Sequence, residues 1–265
     1  MVIRSIFLMC VSLVLATHIF AIDNQTSKPK GILEQPCTDL SFLDHLDEGQ
    51  NRWDALQAHL RMNDWPYLCR YREANQALDP NVQPDVVFMG DSITEGWVNV
   101  DPSFFSKVQI GRGIGGQTTP QMVARFYHDV VALHPKAVHI MAGTNDVAGN
   151  TGNSSIDQIQ NNIKAMVDLA LANNIKVILA SILPADHFFW SPTVKPVAQI
   201  LALNNWLQGY AKQRGLIYVD YYSAMVNEEG GLAATLARDG VHPTAEGYAV
   251  MRPLAELAIK QVLGE

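Results

Sequence analysis

Val86-Val87-Phe88-Met89-Gly90-Asp91-Ser92-Ile93-Thr94-Glu95-Gly96-Trp97 is the stretch whose reading decides the fold. Four consecutive apolar residues read as a buried strand, and Gly90 ends the run. An acid and a serine follow where the backbone must turn. A serine just past the end of a parallel strand lies on the rim where open α/β sheets bind ligands. If a helix begins there, the serine N–H also faces an incoming anion.

From Pro84 onward, short apolar runs alternate with longer helical patterns. Strands are predicted at residues 86–89, 107–110, 137–141, 176–180 and 216–219, and helices near 120–133, 156–172, 197–212 and 245–263. Thr119-Pro120 opens one helix, and Ser155 with Gln158 has capping-box spacing for another. Ile156, Ile159, Ile163, Met166 and Ala170 repeat as one buried stripe. This alternation predicts a three-layer α/β/α sandwich around a central parallel sheet, flavodoxin-like in class and spanning residues 84–265.

Residues 39–80 read as a helical extension docked on that domain. Trp53, Leu56 and Leu60 fall at helical spacing, and Asp64-Trp65-Pro66 looks like a cap with proline early in a second helix. Tyr67, Leu68 and Tyr71 would form the inner face of that helix, and Trp53 and Trp65 are assigned to packing. Residues 22–38 read as a polar linker. Residues 1–21 carry Arg4, an apolar run and a cleavable Ala21, the pattern of a secretory signal peptide. The run is shorter than the roughly 20 residues a spanning helix needs, and it contains His18. The expected location is therefore secreted or periplasmic, without stable membrane insertion after cleavage.

The chain has 265 residues, 48% hydrophobic and 17% charged, with 19 basic against 26 acidic residues and a net charge of −7. That is a soluble globular composition, without the basic footprint of a nucleic-acid binder. Of three cysteines, Cys10 lies in the signal. Cys37 and Cys69 read either as a disulfide, which export permits, or as two buried thiols.

Each strand delivers something to one edge of the sheet: Gly90-Asp91-Ser92, then Gly111-Arg112-Gly113-Ile114-Gly115-Gly116-Gln117-Thr118, then Ala142-Gly143-Thr144-Asn145-Asp146. Just before the last helix comes Asp239-Gly240-Val241-His242-Pro243. Singly, these are a turn serine, a tight glycine turn, a helix cap and a structural loop. Together at strand ends they meet the needs of ester hydrolysis: an activated hydroxyl, a base, an orienter for the base, and donors for an oxyanion. Ser92 supplies the hydroxyl. His242 is the base, since a histidine titrates close enough to neutrality to move protons there. Asp239 orients it from three residues upstream. The N–H groups of Ser92 and Gly116 and the side-chain amide of Asn145 are the candidate oxyanion donors, glycine suiting close approach of backbone to substrate.

These four blocks, in order from Gly90 to His242, resemble the GDSL/SGNH hydrolases. The resemblance implies a serine nucleophile at Ser92, an oxyanion hole completed by Gly116 and Asn145, a triad completed by His242 and Asp239, and the sandwich fold. One departure is Gln117, where many relatives carry an acid after the paired glycines. The extension lies outside the resemblance.

Rival motifs are weaker. Gly111, Gly113 and Gly116 match the dinucleotide spacing G-x-G-x-x-G, but the acid that should end the next strand is replaced by Met141-Ala142. No G-x-S-x-G elbow surrounds a serine. No metal-ligand spacing appears, so no metal or other cofactor is required. His45, His59, His128, His134, His139 and His187 read as surface or satisfied core residues. Pocket walls are expected from residues 94–101, 145–154 and 182–196, with Trp97, Phe188, Phe189 and Trp190 shaping an acyl pocket or stacking on a sugar. The reading is a short-chain acyl esterase acting on a small-molecule or oligosaccharide ester, with O-acetyl carbohydrate favoured. A lysophospholipase or thioesterase, and a non-catalytic module that binds acylated glycans, are the alternatives.

Overall fold

The computed structural model describes residues 37–265. The signal peptide and nearly all of the polar linker read from the sequence lie outside the described residues. After a 3-10 turn at Ser41–His45 come α1 (Arg52–Asn63), α2 (Arg72–Gln76), β1 (Val86–Gly90), α3 (Ser92–Val100), β2 (Gln109–Gly113), α4 (Thr119–Asp129), β3 (Ala137–Met141) and α5 (Thr144–Ala148). Then follow α6 (Ile156–Ala172), β4 (Lys176–Ala180), α7 (Val197–Arg214), β5 (Ile217–Val219), α8 (Tyr222–Met225) and α9 (Ala245–Leu263).

The five strands form one parallel sheet in the order β2-β1-β3-β4-β5. Strand alternation explains the two cores. Val87 and Met89 pack with Met122, Phe126, Ile163, Met166 and Leu203 on the face covered by α4, α6 and α7. Val86 and Phe88 pack with Ile93, Trp97, Tyr248, Met251 and Ile259 on the face covered by α3 and α9. Each such fully buried side chain contributes about 1.5–3 kcal/mol, so β1 is held from both sides. The chain order reverses between β2 and β3 on either side of β1, which opens a crevice at the carboxyl ends of those strands.

The capping boxes at the starts of α4 and α6 are formed by Thr118 with Gln121 and by Ser155 with Gln158. Two boundaries differ from the sequence reading. β2 runs on through Gly111 and Gly113 because α3 lies directly against them. A Cβ at Gly111 would sit 2.2 Å from Val98 Cγ2, and one at Gly113 would sit 2.2 Å from the Glu95 nitrogen. The expected second helix after Pro66 is instead a run of turns, with helix only at α2. There the Asp64 carboxylate accepts the N–H groups of Leu68 and Cys69 at 2.8 and 3.0 Å, and Tyr67 adopts a left-handed φ of 55°.

The extension is fastened to β2 and α4. Cys37 and Cys69 form a disulfide, and the Tyr71 hydroxyl donates to the Gly113 carbonyl. Asn75 donates to Asp129 at 2.9 Å and accepts from Arg112 at 2.8 Å. Gln121 donates to the Trp65 carbonyl at 2.9 Å. Because the obstruction at Gly113 is backbone, Gly113→Ala is expected to cost about 1–3 kcal/mol of unfolding free energy, as overpacking does; urea titration of the variant beside wild type measures it.

Candidate active site

Each arm of the site is shaped by a local rule. Asp91 caps α3 by accepting the Ile93 N–H at 2.9 Å, which makes Ser92 the first helical residue. Its N–H finds no acceptor among the described residues, as expected at a helix start. On the other arm, Asp239 Oδ1 accepts the N–H groups of Val241 and His242 at 3.1 and 2.8 Å, closing the loop before α9. The arms meet where His242 Nε2 lies 2.9 Å from Ser92 Oγ, and His242 Nδ1 lies 2.8 Å from Asp239 Oδ2. Partial burial pushes the Asp239 carboxyl up, but bonds from the His242 N–H and ring and from the Val241 N–H outweigh it and hold the carboxyl below its ordinary value. Such a chain can pass a hydroxyl proton to an imidazole whose tautomer the carboxylate sets.

Gly116 stands at φ +74°, a left-handed conformation that glycine adopts without strain, and its N–H also finds no acceptor among the described residues. Asn145 is buried. Its Nδ2 donates to the Gln117 carbonyl at 3.0 Å and, more weakly, to Asp91 Oδ2 at 3.3 Å. Ser92, Gly116 and Asn145 thus come from the ends of β1, β2 and β3 at the crevice.

A model of the GDSL-like lipase/acylhydrolase family matches residues 88–250. The chain belongs to this family. In reaction class it is accordingly a hydrolase acting on esters. It is 49% identical to an acylhydrolase of Bacteroides fragilis NCTC 9343, with a TM-score of 0.72, covering 76% of this chain and 99% of that one. A GDSL-like lipase of Bacteroides thetaiotaomicron VPI-5482 is 45% identical at the same TM-score, covering 75% of this chain and 99% of that one. The lipoprotein YqeF of Bacillus subtilis (strain 168) is 34% identical over 119 residues, 38% of this chain. The match spans about half the length of that relative, 49%.

Within this GDSL-family site, Gln117 takes a defined place. Its Oε1 accepts Arg125 Nε at 2.6 Å, and its Nε2 donates to the Pro66 carbonyl at 2.8 Å. An acid there could accept from Arg125 but could not donate to Pro66. Gly111 and Gly113 lie inside β2 rather than in a turn, so the dinucleotide spacing marks strand against helix and no phosphate cradle. Among the described residues no group of three His, Cys, Asp or Glu side chains is placed to hold a metal, and no helix is long and apolar enough to cross a membrane.

Two of the expected pocket aromatics are corrected. Trp97 is fully buried and stacks on Phe104 and on Tyr248, because residues 94–100 form most of α3 rather than a loop. Phe188 is fully buried beneath Trp190. Trp190 does reach the site, with its ring 6.2 Å from that of His242, and Phe189 is exposed beside it.

The structure adds residues that sequence reasoning missed. Asn150 donates to Asn145 Oδ1 at 2.8 Å and to the Gly116 carbonyl at 3.1 Å, and accepts Trp190 Nε1 at 2.8 Å. A lone asparagine in a loop carries no signal of this. Glu95 accepts the Gly115 N–H at 2.9 Å and pairs with Arg70 of the extension at 2.9 Å. Trp53, assigned to packing, instead leaves about half its surface exposed and lays its ring against Gly115 and Gly116. A pocket of about 270 Å³ opens beside Ser92, lined by Glu95, Asn99, Arg238, His242 and Tyr248. His139 is far from this chemistry in character: burial pushes it down to about 3, and it bonds Tyr221 at 3.0 Å in the core.

Burial pushes two buried carboxyls, Asp91 and Asp146, up to about 6 against the bonds they accept from Ile93 and Thr119. Asp146 holds the start of α4 through the Thr119 N–H at 2.9 Å. Its folded value exceeds the ordinary aspartate value near ~3.9, so folding takes up a proton between the two, and the associated stability is lost as pH rises through about 6. Between about pH 5 and about pH 7, Asp146→Asn should therefore lose about 1 kcal/mol less unfolding free energy than wild type. Urea titrations at both pH values check this; equal losses in the two proteins would refute it.

Proposed function

We propose that this protein is an exported serine esterase that removes short acyl groups, acetyl above all, from carbohydrate. The observation that carries the reading is the unbroken Asp239–His242–Ser92 hydrogen-bond chain beside two N–H groups that find no acceptor among the described residues. Ser92 Oγ attacks the ester carbonyl carbon as its proton passes to His242 Nε2. The carbonyl oxygen gains negative charge and is held by the N–H groups of Ser92 and Gly116 and by the Asn145 amide. Collapse of that intermediate breaks the bond to the leaving oxygen, which takes the proton back from His242 and departs as the alcohol. Water then attacks the acyl-serine, giving its proton to His242, and the acid and free Ser92 are released.

The substrate class rests on three observations. The pocket beside Ser92, about 270 Å³ with polar and apolar lining mixed, has room for a short acyl group rather than a long apolar chain. Trp190 presents an indole next to His242, the group that protonates the leaving alcohol, where a sugar ring can stack. A net charge of −7 disfavours anionic lipid surfaces. Export is supported by the amino-terminal apolar run and by the Cys37–Cys69 disulfide, a bond of oxidising compartments.

Ser92→Ala is expected to bring hydrolysis of a chromogenic acetyl ester to background while the urea midpoint stays at the wild-type value. Equal, near-background rates in wild type and variant would instead identify a binding module. Asn145→Ala is expected to lower kcat by on the order of 10²–10³, as loss of one oxyanion donor does; a change confined to KM would remove it from that role.

A further inference from the structure

We propose that Trp53, carried in by the amino-terminal extension, is a sugar-binding platform of this active site. It would receive the ring neighbouring the esterified residue of an acylated oligosaccharide. The inference rests on the esterase reading above and extends it to a specificity-determining residue outside the catalytic domain.

The indole lies on the candidate oxyanion loop. A Cβ on Gly116 would stand 2.9 Å from Trp53 Cζ2, and one on Gly115 would stand 3.3 Å from Cη2. At Gly116 a side chain would crowd the ring and strain the left-handed backbone as well. Gly116 is also held by Asn150, whose Nδ2 donates to the Gly116 carbonyl and whose Oδ1 holds the Trp190 indole N–H. Trp53, Gly116, Asn150 and Trp190 therefore make one continuous wall, with Trp190 toward His242 and Trp53 at the oxyanion end. The leaving alcohol must face His242, because that imidazole returns the proton to it. The esterified sugar consequently lies toward Trp190, and a chain continuing along the wall meets Trp53.

The exposure of the ring fits this use. Trp53 is 48% exposed and stacks on no other ring among the described residues, although it sits in a folded, anchored helix. The extension holds it there through the Gln117 bond to Pro66, the Gln121 bond to Trp65, the Arg70–Glu95–Gly115 link and the Cys37–Cys69 disulfide. A half-exposed indole with the Glu95 carboxylate and the Asn150 amide close to the glycines it lies against matches a sugar ring, which has an apolar C–H face and hydroxyls at its edge. A long acyl chain would need enclosing apolar walls to be desolvated.

The test is the dependence of kcat/KM on chain length, using acetylated xylo-oligosaccharides from mono- to tetrasaccharide, with nitrophenyl acetate for comparison. In wild type kcat/KM is expected to rise with length. In Trp53→Ala the rise should flatten by about tenfold at the tetrasaccharide, mainly through KM, as loss of about one stacked ring predicts. Trp53→Phe should retain part of the rise, and a urea midpoint accompanies each variant. A wild-type rise surviving intact in Trp53→Ala overturns the inference. So does an equal loss at every length, which would mean that the ring only props Gly116. An absent rise in a wild type that cleaves acetylated sugars also overturns it, leaving the esterase reading standing. If wild type cleaves nitrophenyl acetate but no acetylated sugar, the carbohydrate reading itself fails, and this one with it.

Discussion

A hydrogen bond of 2.9 Å between Ser92 and His242 joins side chains separated by 150 positions. Most of the fold can be read as the means of holding it. Closing so long a loop costs little more entropy than closing a shorter one, but a bond length tolerates only tenths of an ångström. Both ends are therefore built on rigid starts of helices: α3, capped by Asp91, and α9, led in by the Asp239 loop. The two helices are tied to each other by the Tyr248 hydroxyl, which donates to the Ile93 carbonyl at 2.8 Å. Trp97 stacks on Tyr248 from α3. Its burial is thus spent on alignment of the two arms rather than on substrate.

The glycine loop between them has a polar support. Arg125 is completely buried, donating to Gln117 at 2.6 Å, to Asp129 at 3.0 Å and to the Gly90 carbonyl at 2.9 Å. A buried guanidinium is expensive unless its donors are met. Here they are met by the end of β1, by Asp129 of its own helix and by the loop, so the loop cannot shift without leaving a buried guanidinium N–H without its acceptor. Preorganised donors of this kind are what stabilise developing charge without rearrangement. Because position 117 is an amide, the same network continues outward to Pro66 and couples the extension to the loop.

The extension is in consequence part of the site's architecture. Its contacts fall on β2, α4, Glu95 of α3 and the loop from Gly113 to Gln121, the segment that supplies one of the three candidate oxyanion donors. Its disulfide spans 32 positions, closing the segment on itself. A region outside the residues that the family model matches, 88–250, thus borders the candidate oxyanion loop, the kind of place where members of one family can diverge in substrate while keeping the same chemistry.

The amino-acid sequence by itself determined the parallel α/β sandwich, the positions of most strands and long helices, and the four blocks carrying Ser92, Gly116, Asn145, Asp239 and His242. These depend on short-range patterns: apolar runs, the 3.6-residue stripe of α6, capping boxes, and glycines beside reactive side chains. Only the tertiary structure decided that β2 continues through its glycines, that Trp97 and Phe188 are core, and that Asn150, Glu95 and Trp53 meet at the candidate oxyanion loop. An exposed indole and a buried one have the same letter and the same helical spacing. What separates them is which backbone, 63 positions away in the case of Trp53 and Gly116, comes to lie against the ring. Contacts of that range follow from packing and leave no periodic trace in the chain.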